Sequence, residues 1–264
     1  MSDFLVMNRL ILFIFTIIMS VAMILIIKSA KGGKKPFVRK INGLEAVDEA
    51  VGRATEMGRP VHFSPGISSL GEQTAAQTLA GLSVLGYVSR LTAKYDTPLI
   101  VTIRIPEILP ISEEIVKQSY LAEGKPDAYN PNNIRFLSDE QFAYAAGCLG
   151  IMNREKVATN IMMGAFWAES LIFAEGGFAA GAIQIAGTAN THQLPFFIAA
   201  CDYTLIGEEL FAAGAYLSQD PLQLGSIAVQ DIGKLIAIIL IVIGTITTTF
   251  DWTVITDFIS KYSM

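Results

Sequence analysis

Two histidines, His62 and His192, are the side chains in this sequence best suited to moving a proton near neutral pH. Each stands beside a short polar turn. His62 sits in VHFSPGISS (61–69), where an apolar start runs into a Ser/Gly turn. His192 closes GTANTHQ (187–193), with four polar side chains in six residues. If folding made the two turns neighbours, His62 and His192 would share a cleft and act as acid and base. The same turns offer hydroxyls, amides and unpaired backbone N–H groups that suit a nucleotide, a phosphate or another anion. The candidates are Ser64, Gly66, Ser68 and Ser69 in the first turn, and Thr188, Asn190, Thr191 and His192 in the second.

A plainer explanation covers both turns. Ser69 with Glu72, and Asn190 with Gln193, have the spacing of helix caps. Neither turn is GxGxxG, and no Lys follows the second glycine as a P-loop requires. No catalytic residue is assigned beyond the two histidines as candidates. Glu169, Glu175, Glu208 and Glu209 lie among Ala and Gly and read as solvated rims. The small-residue run 173–181 (FAEGGFAAG) reads as close backbone packing, inside the domain or between subunits. Cys148 and Cys201 stand in apolar stretches and read as structural thiols. Without CxxC, HExxH or a Cys/His cluster, no metal site is expected, and no cofactor is indicated.

Helical and strand signals that would position these turns alternate along the middle of the chain. Residues 44–57 form an amphipathic helix that Gly58 ends, followed by a short strand at 60–63 and a turn at 64–69. A long helix at 70–94 starts at the Ser69/Glu72 box, and PLIVTIR (98–104) is a strand covered on both faces. A helix at 112–122 is capped by Ser112, the loop 124–133 is rich in turn residues, and 134–137 is a strand. Ser138 and Gln141 cap a helix to about 149, and 156–166 reads equally as strand or helix. Strands at 182–186 and 203–206 flank a helix that ends at Ala200, and Asp220 caps a helix opening with Pro221. Alternation of this kind predicts an α/β domain with a mostly parallel sheet and helices on both faces, a Rossmann-like layering. Strand order is left open.

Two apolar runs flank the domain. LILFIFTIIMSVAMILII (10–27) carries no charge and is long enough to span a bilayer. LIAIILIVIGTITTTF (235–250) reaches that length if it continues to Ile255, with Lys234 and Trp252 as interface anchors. Asp3 and Arg9 precede the first run, whereas Lys28, Lys31, Lys34, Lys35, Arg39 and Lys40 follow it. That excess of positive charge holds residues 28–40 in the cytoplasm and predicts an uncleaved anchor. The expected order is an external N-terminus (1–9), a first transmembrane helix (10–27), a basic linker at the lipid surface (28–40), a cytoplasmic α/β domain (41–232), a second transmembrane helix (233–255) and an external C-terminus (256–264). The cell (inner) membrane is the expected location. Gly32 and Gly33 loosen the linker. Ten basic and 21 acidic residues give the domain a balance of −11, which excludes nucleic acid as a partner and repels an anionic leaflet.

The segments 41–98 (INGLEAVDEAVGRATEMGRPVHFSPGISSLGEQTAAQTLAGLSVLGYVSRLTAKYDTP) and 186–197 (AGTANTHQLPFF) resemble a family of prokaryotic membrane proteins described only as a domain of unknown function. The resemblance implies that the anchored α/β arrangement recurs, and it brings no reaction, cofactor or catalytic residue. The reading that follows is a membrane-anchored, homo-oligomeric scaffold or assembly protein, with the bilayer and further copies of itself as partners. Two alternatives stand beside it: a ligand-binding or sensor domain using the polar turns, and an enzyme on a small molecule or lipid headgroup using the histidines.

Overall fold

The computed structural model describes residues 10–32 and 42–250. Asp3, Arg9, Gly33, Lys34, Lys35, Arg39, Lys40, Asp251, Trp252 and Ile255, to which the sequence assigns roles at the membrane, lie outside the described residues. The chain divides into two compact units, residues 40–218 and the two terminal segments together.

The first unit is an α/β domain. Helix α2 (Asn42–Met57) leads into six strands: β1 (Val61–Gly66), β2 (Leu99–Ile103), β3 (Ile134–Phe136), β4 (Thr159–Ala165), β5 (Ile183–Thr188) and β6 (Tyr203–Ile206). All neighbours pair parallel, in the order β3-β2-β1-β4-β5-β6. This is the doubly wound order, with its reversal between β1 and β4. The intervening helices are α3 (Ala75–Tyr95), α4 (Ile108–Ala122), α5 (Gln141–Arg154), α6 (Glu169–Ala179), α7 (Leu194–Ala200) and α8 (Glu208–Ser218).

Adjacent residues of β4 show how the two faces are used. Thr159 Oγ1 donates to Ala50 O in α2, while Asn160 reaches the opposite side. Helix α3 packs with α2, α4 and α8, and α6 packs with α5 and α7, so the sheet is covered on both faces. Every residue of β1, β2 and β4 is accordingly buried. Under α5–α7 the core holds Tyr144, Cys148, Met152, Met162, Phe166, Phe173 and Phe197. Phe166 stacks edge-on against Phe173 at 5.9 Å and Phe197 at 5.5 Å between ring centroids.

Several boundaries differ from the sequence reading. Strand β1 runs on through Ser64, Pro65 and Gly66, which the sequence reading placed in a turn, with an irregularity in register between Ser64 and Gly66. Helix α3 begins at Ala75, five residues late, because Glu107 holds the chain at Ser69 and Leu70 in a non-helical path. Helix α4 begins at Ile108, so Ser112 lies buried inside it and does not cap it. Glu140 caps α5 by accepting from Ala143 N at 2.6 Å. The ambiguous stretch 156–166 resolves as β4, and α8 had no counterpart in the sequence reading.

The second unit pairs α1 (Leu10–Lys31) with α9 (Pro221–Thr249). Asp220 caps α9 by accepting from Leu222 N at 3.0 Å, with Pro221 at its first position. Both helices are long and apolar enough to cross a membrane. They run antiparallel: Gly225 lies against Ile27 and Gly233 against Met19. A Cβ at Gly225 would come within 2.8 Å of Ile27 Cγ1, so the absent side chain permits the approach. Lys28 and Lys31 are exposed in the last turn of α1.

Candidate functional site

In a doubly wound sheet the carboxyl ends of the strands, at the reversal point, are where ligands are ordinarily held. Here that edge is closed by main chain. Gly66 has φ +89°, and a Cβ on it would lie 2.7 Å from both N and O of Ala165. Gly164 has φ +151°, and a Cβ there would overlap Pro65 O. Ile67 N still donates to Ala165 O at 2.9 Å, so β1 and β4 stay zipped beyond their ends. A Cβ on Gly81 of α3 would overlap Met163 O, which brings that helix directly onto β4.

The two polar turns do come to this edge, and the start of α3 joins them. Thr78 Oγ1 donates to Ser68 O at 3.1 Å. Its neighbour Gln77 accepts from Ala189 N at 2.8 Å and from Thr188 Oγ1 at 3.2 Å, and donates to Asn190 Oδ1 at 2.9 Å. Asn190 Nδ2 donates in turn to Phe166 O at 2.7 Å. Ser68 bonds to Glu72 at 2.8 Å and to Thr74, and Ser69 donates to Glu107 at 2.8 Å. The Leu70 N–H and the Ser69 hydroxyl hold the Glu107 carboxyl below its ordinary range. These polar groups therefore bind one another. Glu169, placed at a solvated rim by the sequence reading, is fully buried; it takes bonds from Trp167 N at 2.9 Å and from Gln141 Nε2.

The two histidines do not meet at that edge. His192 is exposed beside Thr191, while His62 is buried inside β1 with no exposed surface. No cleft can contain both. What surrounds His62 is a polar row across the middle of the sheet. His62, Asn160 and Gln184 are register partners on β1, β4 and β5. Gln184 Nε2 donates to the carbonyls of Ala174 (2.8 Å) and Ala200 (3.0 Å), so its Oε1 faces Asn160 Nδ2 at 3.2 Å. Asn160 Oδ1 then faces His62 Nδ1 at 2.7 Å. That order places the ring proton on Nδ1 and leaves Nε2 to accept from Thr102 Oγ1 at 2.9 Å. Beyond Thr102 the row reaches Tyr144, which bonds Thr102 O (3.0 Å) and Ser64 Oγ (2.9 Å), and Cys148, 3.3 Å from Thr102 Oγ1.

Burial outweighs the Asn160 bond and brings the His62 pKa down to about 4, so the ring is neutral. Burial pushes Cys148 up to about 12, which leaves a thiol rather than a nucleophilic thiolate. The row is a satisfied core network. Sequence reasoning missed it because His62 and Asn160 are 98 residues apart, Asn160 and Gln184 are 24 apart, and only the register aligns them.

A separate cleft of about 260 Å³ opens at the other edge, where β5 and β6 begin, lined by Ala46, Glu49, Ala50, Arg53, Ile183, Asp202 and Tyr203. Arg53 pairs with Glu49 there, and Asp202 accepts from Gln184 N at 2.7 Å. Among the described residues no three His, Cys, Asp or Glu side chains are grouped to hold a metal ion.

The outer side of the α5–α7 layer is largely apolar, with Glu175 exposed between Leu171 and Phe178 on α6. Phe142 on α5, Leu171 and Phe178 on α6, and Phe196 and Ile198 on α7 are exposed, Phe178 by 81%. The small residues Gly176 and Gly177 are turned inward, against Leu149 and against Gln184. Between Lys156 and Lys234 the sequence contains no Lys or Arg.

No curated protein and no solved structure matches the chain. One family does, over residues 1–259 of 264. By that match the chain belongs to the family described as Domain of unknown function (DUF6754).

Proposed function

We propose that this protein is a membrane-anchored, homo-oligomeric assembly protein whose α/β domain lies on the cytoplasmic side of the cell membrane. The observation that carries the reading is the apolar outer side of α6 and α7. Helix α7 (LPFFIAA) has no charged residue, and α6 exposes Leu171 and Phe178, with Glu175 between them, on one side and buries Phe173 on the other. A helix that is apolar all round belongs inside something. The exposed carboxylate of Glu175 between Leu171 and Phe178 argues against an anionic lipid surface as the cover, and a further copy of the domain is the occupant that fits. The antiparallel α1–α9 pair supports one anchor with both chain ends on the far side, and exposed Lys28 and Lys31 favour the cytoplasm for the near side.

The test is the particle mass of the full chain in mild detergent and in lipid nanodiscs. A closed assembly of identical chains is expected, and Phe178→Glu lowers its copy number. A single chain in both media overturns the reading. Release of the protein from membranes by alkaline carbonate overturns the anchor.

A second reading, a small-ligand sensor, is favoured by the cleft beside Arg53, Asp202 and Tyr203. The polar turns that first suggested it are each bonded to the start of α3, through Thr78 and Gln77. A ligand for the cleft would raise the melting temperature of the wild type and not of Arg53→Ala; a broad small-molecule screen without such a shift removes this reading.

A further inference from the structure

Helices α1 and α9 carry apolar runs that are out of step. From the Gly225–Ile27 contact, each residue forward along α9 is level with one residue back along α1, at about 1.5 Å per residue. Asp231 is then level with Val21, and Lys234 with Ile18, roughly 9 and 13 Å above that contact. The uncharged run of α1 (10–27) is about 27 Å long, so the Lys234 backbone stands level with its middle. The Gly233–Met19 contact, eight residues further along both helices, keeps the same register. Yet the apolar run of α9 starts only at Leu235.

Asp231 and Lys234 hold each other at 3.4 Å, with 50% and 42% of their side chains exposed on the outside of the helix pair. A flat layer of hydrocarbon cannot suit an isolated pair with this offset. If the layer covers the α1 run, Asp231 and Lys234 lie in lipid, where charged groups are rare and turn toward a bundle interior. If it covers the α9 run, Ile18, Val21, Ile24 and Leu25 protrude into water, all of them exposed on α1. Lys234 can bend its ammonium toward the N-terminal end of α9, but Asp231 is too short to follow. Either way this level of the helix pair requires a cover.

We infer that the cover is a second copy of the same helix pair, with Asp231 of one copy facing Lys234 of the next. The inference rests on the membrane-anchored, oligomeric reading above and adds where the copies meet within the bilayer. Opposite charges one turn apart on one helix are complementary to themselves. Copies related by an axis along the membrane normal place Asp231 and the neighbouring Lys234 about 4.5 Å apart in height. The Lys234 side chain leans toward the helix N-terminus and closes that difference. Leu235 and Ile238, exposed one turn on, supply the apolar part of the contact.

The experiment uses the full chain in lipid nanodiscs and reads copy number by particle mass. Asp231→Lys and Lys234→Asp each lower the copy number by at least half, and the double swap restores it. Unchanged copy number in both single swaps, with the wild type oligomeric, overturns the inference and leaves the oligomeric reading standing. A wild type that is a single chain in lipid overturns both. A further measurement leaves the charges intact: Ile238→Cys, oxidised in native membranes, gives a band of two chains that the wild type lacks. No such band, or a band joined to a chain of different mass, overturns the inference even if the swapped variants fail to insert.

Discussion

His62 Nδ1 lies 2.7 Å from Asn160 Oδ1, on strands that are neighbours in the sheet yet 98 residues apart in sequence. The bond is the centre of a chain that starts at the carbonyls of Ala174 and Ala200 and ends at Ser64. Each amide orientation fixes the next, so the two backbone carbonyls decide which imidazole nitrogen carries the proton. Such a row costs stability if any member is left without a partner.

The first prediction concerns pH. His62 has a pKa of about 4 in the folded chain against an ordinary 6.5. The unfolded chain therefore takes up the proton first. The stabilisation is complete above about pH 6.5, declines as pH falls, and is lost by about pH 4. Between pH 6.5 and 5 the loss is on the order of 2 kcal/mol, at about 1.4 kcal/mol per pH unit. In melting temperature that is roughly 4–8 °C. His62→Gln removes this slope, and an equal slope in the variant rejects the assignment.

Gly177 supplies the second. A Cβ there would overlap Gln184 Oε1 and stand 2.9 Å from Asn160 Nδ2. Gln184 cannot swing aside without losing its bonds to Ala174 O and Ala200 O. Gly177→Ala is expected to destabilise the domain by about 1–3 kcal/mol. Gly52, in α2 with nothing within 4 Å of its Cβ position, is the contrast. Gly52→Ala is expected to stabilise by about 0.5–1 kcal/mol. Denaturant midpoints of the two variants give the comparison.

Asn190 ties the turn after β5 to α3 through Gln77 and to the end of β4 through Phe166 O. Asn190→Ala leaves both partners unpaired, at about 1–3 kcal/mol. Limited proteolysis should then cut within 189–193 faster than in the wild type. Unchanged cleavage there would show that the turn is held by other contacts.

Much of the architecture was legible in local patterns. LIVTI (99–103) is continuous in apolar residues because both its faces are covered, and Gly58 and Asp220 mark helix ends by chemistry within one turn. What escaped was set from a distance. Ser69 and Glu72 have capping spacing, yet Glu107, 38 residues beyond Ser69, takes the Ser69 hydroxyl and delays α3. Pro65 and Gly66 read as turn residues, but they continue β1 because Gly164 and Ala165 come close enough to need their small backbone. His62 read as a site residue because it stands beside one polar turn and the only other histidine stands in another. Its partners Asn160 and Gln184 become visible only with the register.

The closure between β1 and β4 has a consequence for anyone wishing to give this scaffold a cofactor. In most doubly wound sheets a pocket at the reversal point can be enlarged by trimming side chains. Here the contacts are peptide group against peptide group, at Pro65, Gly66, Met163, Gly164 and Ala165, and trimming a side chain leaves them in place. Re-routing the chain itself, by changing the lengths of the β1–α3 and β4–α6 connections, is the one design path that would open it.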